Sequence, residues 1–321
     1  MVKKLIAVAL LCSGMMASDI MTLYRAGGMK AIEKEIDKGL SDSTYWSEII
    51  SGKDLRFGYF ENTDTVLACS KDKSTLELYT RNAQEQFALK KSYSAFTGKY
   101  DGDKIAEGDR RTPIGVYTLI QKINNVDPFY GPMAFVTSYP NLYDRIRGKN
   151  GSGIWIHGVP LNGSRDSFTK GCIAIDNEDL LSLDREINPK NAVVIIDKHI
   201  RTQADRSIYP SIMASLFKWR YAWTYNDLET YLSFYDPSFE RYDGMNLSNF
   251  KSYKEKVFAK NESKSIEFKN INIIPYPGEK PNLFMVTFDE TYISDNHTFQ
   301  GSKVLMVTLN TNKTISILSE Q

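Results

Sequence analysis

The segment IWIHGVPLNGSRDSFTKGCIAID, residues 154–176, joins two short apolar runs through a polar loop. It contains one of the chain's three histidines, His157, and one of its three cysteines, Cys172. The pattern predicts a buried strand that ends near His157 and an apolar strand or turn that begins near Cys172. Two glycines, a proline and an asparagine in the loop allow the chain to fold back. The imidazole and the thiol could therefore meet in space.

A cysteine and a histidine that meet can perform acyl transfer. A thiol attacks as the thiolate, and its ordinary pKa of about 8.5 leaves only a few per cent ionised at neutral pH. A neighbouring imidazole raises that fraction and later returns a proton to the leaving amine. Backbone N–H groups around Gly171 and Cys172 could form an oxyanion hole. From the residues alone, the pair is either catalytic or a structural cysteine and an ordinary surface histidine.

The residues around this segment predict a β-rich domain. Apolar or alternating runs, rich in β-branched and aromatic residues, are separated by Gly, Asp, Asn and Pro clusters. These runs are TVLACS, TLELYT, FALKKSYSAFTG, GVYTLIQKI, MAFVTSYP, GIWIHG and NAVVIID. Such a series is typical of a β-sandwich or a barrel-like sheet. NEDLLSLDREI, residues 177–187, predicts a helix before the last of these strands.

The C-terminal part has a different order of elements. After a polar connection at residues 199–210, three helical patterns come first, and Asn226 and Glu229 predict a capping box for the second of them. Four strand-like runs follow: SIEFKNINIIPY, NLFMVTFDETYI, SKVLMVTLN and TISILS. Helices followed by an antiparallel sheet predict an α+β domain with its own core.

The N-terminal part predicts a secretory signal and a helix. Lys3 and Lys4 precede a short apolar run, and small residues near position 18 offer a cleavage site. The run is too short to span a bilayer stably, and no later segment is apolar enough to do so. Residues 29–50 form an amphipathic pattern whose apolar stripe must pack against the main body or a second copy of the chain. Both alternatives stay open here, and the second corresponds to a homodimer formed through this helix.

Composition excludes several classes of function. Forty basic residues oppose thirty-nine acidic residues, so the net charge of +1 provides no electrostatic argument for a nucleic-acid partner. His199 and His297 have no partners at metal-ligand spacing, so no metal or other cofactor is expected. Cys69 lies in an apolar run and predicts a buried, inert thiol, although a disulfide with Cys172 stays open.

Two motifs resemble a known family. His157 followed by TKGCIA resembles the signature of the L,D-transpeptidase (YkuD) catalytic domain, in which Thr169, Gly171, Cys172 and Ile173 match. EGDRRTPIGVY, residues 107–117, resembles the family's strand-turn segment. Two positions depart from the pattern, because many members have His where Lys170 stands and Arg or Asn where Ala174 stands.

The wider arrangement is most similar to the cell-shape L,D-carboxypeptidases of curved and helical Gram-negative bacteria, whose tail is an NTF2-like domain. The resemblance implies a YkuD-type catalytic domain followed by an NTF2-like α+β domain. The predicted boundaries are a signal peptide at 1–18, a helical segment at 19–54, the catalytic domain at 55–200 and the NTF2-like domain at 201–321. It also implies a periplasmic protein that acts on peptidoglycan.

The chemistry that the resemblance implies assigns a role to each motif residue. Cys172 attacks the carbonyl of meso-diaminopimelate in a tetrapeptide stem and expels D-Ala, with His157 as base and then acid. The Gly158 carbonyl, or another nearby acceptor, holds the imidazole tautomer. Hydrolysis of the thioacyl-enzyme gives a tripeptide, whereas an amine acceptor gives a 3-3 crosslink. A non-catalytic wall-binding or scaffold protein, whose C-terminal domain holds a ligand, is the competing hypothesis.

Several further side chains are candidates for substrate contact. Basic groups near the motifs suit the carboxylates of a stem peptide. The candidates for binding are Lys170, Thr169, Arg110, Arg111, Arg165, Tyr130 and Tyr139. Asp109 and Thr112 are expected to shape the turn before PIGVY, and Trp155 is expected to point to the sheet face opposite His157 and pack in the core.

Overall fold

The computed structural model describes residues 17–162, 166–202, 205–278, 280 and 282–321. The predicted signal peptide, except for its last two residues, lies outside them. The helices are α1 (Ala17–Leu40), α2 (Ser43–Ile50), α3 (Leu142–Ile146), α4 (Asn177–Glu186), α5 (Ile208–Thr224), α6 (Leu228–Ser233) and α7 (Leu247–Phe258). Short 3-10 turns cover Pro128–Tyr130 and Pro189–Asn191.

The strands form two sheets. They are β1 (Tyr59–Phe60), β2 (Thr65–Ser70), β3 (Thr75–Arg81), β4 (Phe87–Ser94), β5 (Gly115–Ile123), β6 (Ala134–Thr137), β7 (Trp155–His157), β8 (Ile173–Ala174), β9 (Ala192–Asp197), β10 (Lys264–Pro275), β11 (Leu283–Ser294), β12 (Thr298–Leu309) and β13 (Ile315–Glu320). The predicted order, with a helical segment, a β-rich region and then helices followed by an antiparallel sheet, is confirmed.

The first sheet curls until its two edges meet. Its strand order is β4-β3-β2-β9-β5-β6-β7-β8, and only the β2–β9 and β7–β8 pairs are parallel among the described strands. Beyond β4, the chain bridges back to the other edge, where Phe96 pairs with Ala174 and Gly98 pairs with Thr169. Of the two predicted forms, a β-sandwich and a barrel-like sheet, the chain thus adopts the barrel-like one, and its closure brings residues 96–98 beside Cys172.

The central strands β2 and β9 are buried along their whole length. Their sequences, TVLACS and AVVIID, are apolar at nearly every position, because both faces of these strands are covered. One face, which includes Cys69 and Val194, belongs to the core of the first sheet. The opposite face, which includes Val66 and Val193, packs against the second sheet. The two sheets therefore share an apolar seam.

The second sheet has the order β1-β10-β11-β12-β13 and is antiparallel. β1 comes from the segment before the first sheet, and Tyr59 pairs with Ile273 of β10. Helices α5 to α7 contribute to one core cluster with this sheet, in which the rings of Trp219 and Tyr231 stack at a centroid distance of 5.6 Å. Large aromatic rings supply much of the buried apolar area in this cluster.

The predicted N-terminal helix is two helices that pack on the chain's own C-terminal part. Asp42 separates them and caps α2, because its side chain accepts the N–H of Thr44 at 2.8 Å. In α2, Trp46 is buried and its ring stacks on Phe217 of α5 at 5.1 Å. The apolar stripe thus contacts the same chain, and the homodimer stays a prediction.

The predicted capping box at Asn226 and Glu229 is wrong by one residue. Asp227 is the N-cap of α6, and its side chain accepts the N–H of Thr230 at 3.0 Å. Asn226 instead has a positive φ of 61° and its amide donates to Asn261 and Glu262. Asn tolerates the left-handed conformation that ends α5, which explains the preference for this arrangement.

Candidate functional site

The fold places His157 and Cys172 on neighbouring strands. β7 and β8 pair in parallel, with Ile156 opposite Ile173 and His157 opposite Ala174. Continuation of this register brings Cys172 level with Trp155, two positions from His157. Because side chains alternate across a sheet, Cys172 and His157 lie on the same face. Residues fifteen positions apart in the sequence thus lie at adjacent places in the sheet.

His157 is held in one orientation. The residue is 2 % exposed, and its Nδ1 lies 2.7 Å from the carbonyl oxygen of Gly158. A carbonyl oxygen only accepts hydrogen bonds, so the neutral imidazole carries its proton on Nδ1. This leaves Nε2 as the basic nitrogen of the ring.

The backbone next to His157 is closely packed. A Cβ at Gly158 would lie 2.1 Å from Oδ1 of Asn177, which also accepts the N–H of Val159 at 3.0 Å. The N–H of Gly158 donates to the Tyr130 carbonyl at 2.9 Å. The sequence predicted a role in the site for Gly158 but not for Asn177. Asn177 is the first residue of α4, and its place in the sequence indicated only the start of a helix.

The turn before β8 presents Cys172. Its Sγ lies 3.3 Å from the carbonyl oxygen of Gly153, and the side chain is half-buried. The Thr169 hydroxyl donates to the Cys172 carbonyl at 2.7 Å and accepts the Gly171 N–H at 2.9 Å. Thr169 is itself buried, so the structure places it inside the turn and commits the Gly171 N–H to it.

Gly171 has a backbone conformation that other residues rarely adopt. Its φ is +133°, and a Cβ there would lie 2.9 Å from the carbonyl oxygen of Arg111. The turn can therefore pass this close to the Arg110–Thr112 segment only with glycine at position 171.

Cys172 and Cys69 do not form a disulfide. Cys69 is fully buried in β2, and burial raises the pKa of its thiol to about 12. The predicted burial of this thiol is confirmed, and its raised pKa favours the neutral form at neutral pH.

An aromatic wall, formed by Tyr130 and Trp155, stands beside the pair. The Tyr130 ring meets the His157 ring edge-on at 5.0 Å and the Trp155 ring at 5.2 Å. Burial raises the pKa of Tyr130, and the charges of Cys172 and Asp127 raise it further. The expectation that Trp155 points away from His157 is wrong, because residues two apart in a strand share a face.

The basic candidates lie at the edge of the turn. Arg110 is exposed with a positive φ of 55°, and Arg111 is half-buried with an Nε that has no hydrogen-bond partner in the described part of the chain. Lys170 is exposed and adjoins Cys172. Arg165 lies outside the described residues.

Asp109 shapes the turn below these arginines. Burial alone would raise the pKa of its carboxyl group, but hydrogen bonds from Lys104 and from the N–H groups of Ile105, Ala106 and Arg111 hold that pKa well below its usual value. Thr112 is buried and accepts the N–H of Gly98 at 2.8 Å.

Tyr139 is placed in the core of the first sheet. Its ring is buried against Tyr117 at 5.9 Å, and its hydroxyl donates to the Asn150 carbonyl at 3.0 Å. The apolar run MAFVTSYP continues past the end of β6, and this continuation carries Tyr139 inward.

The C-terminal part contains a cavity of ≈ 580 Å³. The ammonium of Lys254 lines it and lies 4.8 Å from the ring centre of Trp223 and 5.1 Å from those of Tyr231 and Phe250. Burial lowers the pKa of Lys254 to about 8. Glu290 faces the same cavity, burial raises its pKa to about 7, and its Oε2 has no hydrogen-bond partner among the described residues.

The described residues show neither a metal-binding cluster nor a membrane-spanning helix. No cluster of three or more His, Cys, Asp or Glu side chains suited to a metal ion occurs among them. None of the helices in this part of the chain combines the length and apolar composition needed to cross a bilayer.

Comparison with known proteins matches the two halves separately. Residues 64–196 match the L,D-transpeptidase catalytic domain, and residues 211–321 match the Cds6 C-terminal NTF2-like domain. YafK of Escherichia coli (strain K12), which is named as an L,D-transpeptidase, is 33% identical over 111 residues. That match covers 34% of this chain and 41% of the length of YafK.

Solved structures match across both halves. The helical cell shape determining protein Pgp2 from Campylobacter jejuni is 38% identical, with a TM-score of 0.81 over 88% of this chain and 99% of Pgp2. Bd1075 of Bdellovibrio bacteriovorus is 27% identical, with a TM-score of 0.65 over 84% of this chain and 96% of its own. The chain therefore belongs to the L,D-transpeptidase (YkuD) family, with an NTF2-like C-terminal domain.

Proposed function

We propose that this protein is a periplasmic cysteine L,D-carboxypeptidase of peptidoglycan. It removes the terminal D-Ala that follows meso-diaminopimelate in a tetrapeptide stem and leaves a tripeptide. The observation that carries this proposal is the parallel pairing of β7, which ends at His157, with β8, which begins directly after Cys172. The likeness to Pgp2, which is described as a helical cell shape determining protein, supports a wall substrate and an influence on cell shape.

The proposed reaction begins with proton transfer from the Cys172 thiol to Nε2 of His157. The thiolate attacks the diaminopimelate carbonyl, and the imidazolium then returns the proton to the departing amine of D-Ala. A water molecule next gives a proton to Nε2 and attacks the thioester, which releases the tripeptide carboxylate and restores the thiol. The Gly158 carbonyl stabilises the imidazolium through Nδ1–H in both steps.

The surrounding residues receive supporting roles in this proposal. Thr169 is a positioning residue, because its hydroxyl ties the Gly171 N–H to the Cys172 carbonyl. Tyr130 and Trp155 form the apolar wall that orients the imidazole and borders the peptide. Lys170 and Arg110, which are exposed beside the turn, are proposed to bind the carboxylates of the stem.

Hydrolysis is favoured over transpeptidation by the surroundings of position 174. Ala174 is fully buried between its strand partners His157 and Phe96. As an alanine, it offers no Arg or Asn group that could bind a second peptide. The alternative, formation of 3-3 crosslinks by the same thioester, requires an amine acceptor in place of water.

The test is digestion of purified tetrapeptide muropeptides, followed by separation of the products. We expect release of D-Ala, and we expect Cys172→Ala to abolish it while the buried control Cys69→Ala retains it. Dimeric muropeptides with 3-3 links would instead identify a transpeptidase. Full activity of Cys172→Ala would remove the nucleophile from the proposal. If the wild-type protein is inactive and iodoacetamide fails to label Cys172 selectively, the non-catalytic wall-binding alternative is preferred.

A second candidate function is ligand binding by the C-terminal cavity. Lys254 is 8 % exposed, and aromatic ring faces rather than acceptors surround its ammonium. A buried cation of this kind favours an anionic ligand group. Weaker binding of a muropeptide by Lys254→Met, with unchanged D-Ala release from a soluble substrate, would support this role. Equal binding by the variant would contradict it.

A further inference from the structure

A second cavity, of ≈ 890 Å³, lies where the two sheets meet. The ends of β2 and β9 form one side of it, and Pro277, Gly278 and Lys280, which follow β10, lie on the other. Neither Cys172 nor His157 lines it. The charged side chains in its wall are Lys71, Asp72, Asp101, Asp103, Arg147, Asp197, Lys198, His199, Arg201 and Lys280. Seams of this kind, between two packed units, are common places for ligand sites.

Some of these groups pair with one another. His199 Nδ1 lies 2.5 Å from a carboxylate oxygen of Asp72. Asp103 lies 3.4 Å from Arg147 and 2.7 Å from Lys149, so its charge is balanced by two cations. The pairs therefore occupy Asp72, Asp103, Arg147 and His199 of the cavity wall and leave other charged groups to face a ligand.

Asp197 is a buried acid that takes part in none of these pairs. It is 7 % exposed, and its carboxylate accepts one hydrogen bond, from the N–H of Lys198 at 2.7 Å. No Lys, Arg or His nitrogen lies within 4.0 Å of it in the described part of the chain. Burial raises the pKa of the Asp197 carboxyl group, and no cation among the described residues is close enough to offset that rise.

Two cations of the cavity wall, Lys71 and Arg201, also lie outside these pairs, and their hydrogen-bond partners are neutral carbonyl groups. Lys71 donates to the carbonyl of Thr112 at 2.7 Å and to that of Gly102, and burial lowers its pKa. Arg201 is exposed and donates one hydrogen bond, to the Gly278 carbonyl at 3.3 Å. Most of the five guanidinium donors of Arg201 are therefore available to a ligand.

We propose that this cavity binds a short zwitterionic peptide, with its ammonium on Asp197 and its carboxylate on Arg201. An anion alone would meet Asp197 and Asp101, and a cation alone would meet Lys71, Arg201 and Lys280. A ligand with both charges satisfies each set, so the arrangement selects against singly charged molecules. The volume is in the range that holds a ligand of a few residues.

The test is isothermal titration calorimetry of the full Cys172→Ala protein with trialanine as the probe. Its N-acetylated, C-amidated form lacks both charges and serves as the matched ligand control. We expect trialanine to bind and the capped form not to bind. Asp197→Asn and Arg201→Ala should each weaken binding by about tenfold to a hundredfold, because each removes a charged hydrogen-bond partner. Lys90→Ala, at an exposed position of β4 outside the cavity wall, should leave the affinity unchanged.

Three results would overturn the assignment: equal binding of the capped peptide, no binding of trialanine up to about 10 mM, or unchanged affinity in Arg201→Ala. Arg201 is exposed, so its removal tests the site even if Asp197→Asn does not fold. Because the Cys172→Ala protein lacks the proposed nucleophile, the result does not depend on whether the Cys172 thiol is catalytic.

Discussion

Gly171 is the residue whose replacement most directly tests the geometry of the turn. With φ at +133° and the Arg111 carbonyl 2.9 Å from a new Cβ, Gly171→Ala should destabilise the protein by about 3 kcal/mol. The turn must shift to relieve the contact, so D-Ala release should fall at least tenfold. Thermal unfolding and muropeptide digestion measure the two effects.

The matched control is Gly148→Ala. Gly148 also has a positive φ, +70°, but a Cβ there meets nothing within 4 Å. We expect a loss of about 1 kcal/mol from backbone strain alone and unchanged activity. Equal behaviour of the two variants would show that the contact with Arg111 is unimportant.

Glu290 makes stability depend on pH. Burial raises the pKa of its carboxyl group from 4.5 to about 7, so the folded protein holds this proton more tightly than the unfolded chain. The free energy of unfolding should therefore fall as pH rises from about 4.5 to 7, by on the order of 3 kcal/mol from this group. Lys254, with a pKa of about 8, stays protonated over that range.

Glu290→Gln should remove this fall, and urea unfolding at several pH values measures it. Glu267→Gln, an exposed acid on the neighbouring strand β10, is the control and should retain the wild-type slope. An identical slope in Glu290→Gln would contradict the assignment of the raised pKa.

At the scale of elements, one ion pair joins α1 to α5. Arg220 of α5 is buried, its guanidinium contacts a carboxylate oxygen of Asp37 in α1, and it also donates to the Ile266 carbonyl at 3.1 Å. Asp37→Ala leaves that cation buried without its counter-charge and should cost about 3 kcal/mol. Faster hydrogen exchange in α1 is the expected local signature.

Lys38→Ala provides the control for this pair. Lys38 lies next to Asp37 but its ammonium contacts Glu35 at the surface of the same helix. Exposed pairs of this kind contribute little, so we expect a change below about 0.5 kcal/mol. If Asp37→Ala is equally mild, α1 is held by its apolar contacts alone.

At the scale of the whole molecule, the seam between the sheets should make them unfold together. Val66 and Val193 of the first sheet and Met285 and Met306 of the second belong to one buried cluster. We expect a single calorimetric transition whose calorimetric and van't Hoff enthalpies agree. Met306→Ala should lower the whole transition by about 2–5 kcal/mol, because Met306 is fully buried. Two separate transitions, with only one shifted by this change, would contradict the shared core.

Hydrogen bonds across the seam reinforce this coupling. The Asn141 amide donates to the Val116 carbonyl at 2.9 Å and to the Tyr276 hydroxyl at 2.8 Å, so it ties α3 and β5 to the second sheet. Gly115 permits this approach, since a Cβ there would lie 2.6 Å from the Tyr276 oxygen. Neither contact has a signal in the sequence, because the partners are far apart along the chain.

The sequence by itself determined the local features of this protein. Alternating and apolar runs identified the strands, and the uninterrupted hydrophobicity of β2 and β9 agrees with the burial of both faces in the structure. The motif around Cys172 and His157 identified the family. These features depend on periodicity and spacing within short segments, which is why they could be read without coordinates.

Only the tertiary structure decided which surfaces face one another. It placed Trp155 beside Tyr130 and put Tyr139 in the core. It also packed the N-terminal helices on α5 and placed Asp197 in the wall of a cavity between two sheets. Such positions follow from contacts between separate elements of the chain. The stability of these contacts depends on partner residues that a local sequence pattern cannot identify. The seam and its cavity are therefore known only from the folded structure.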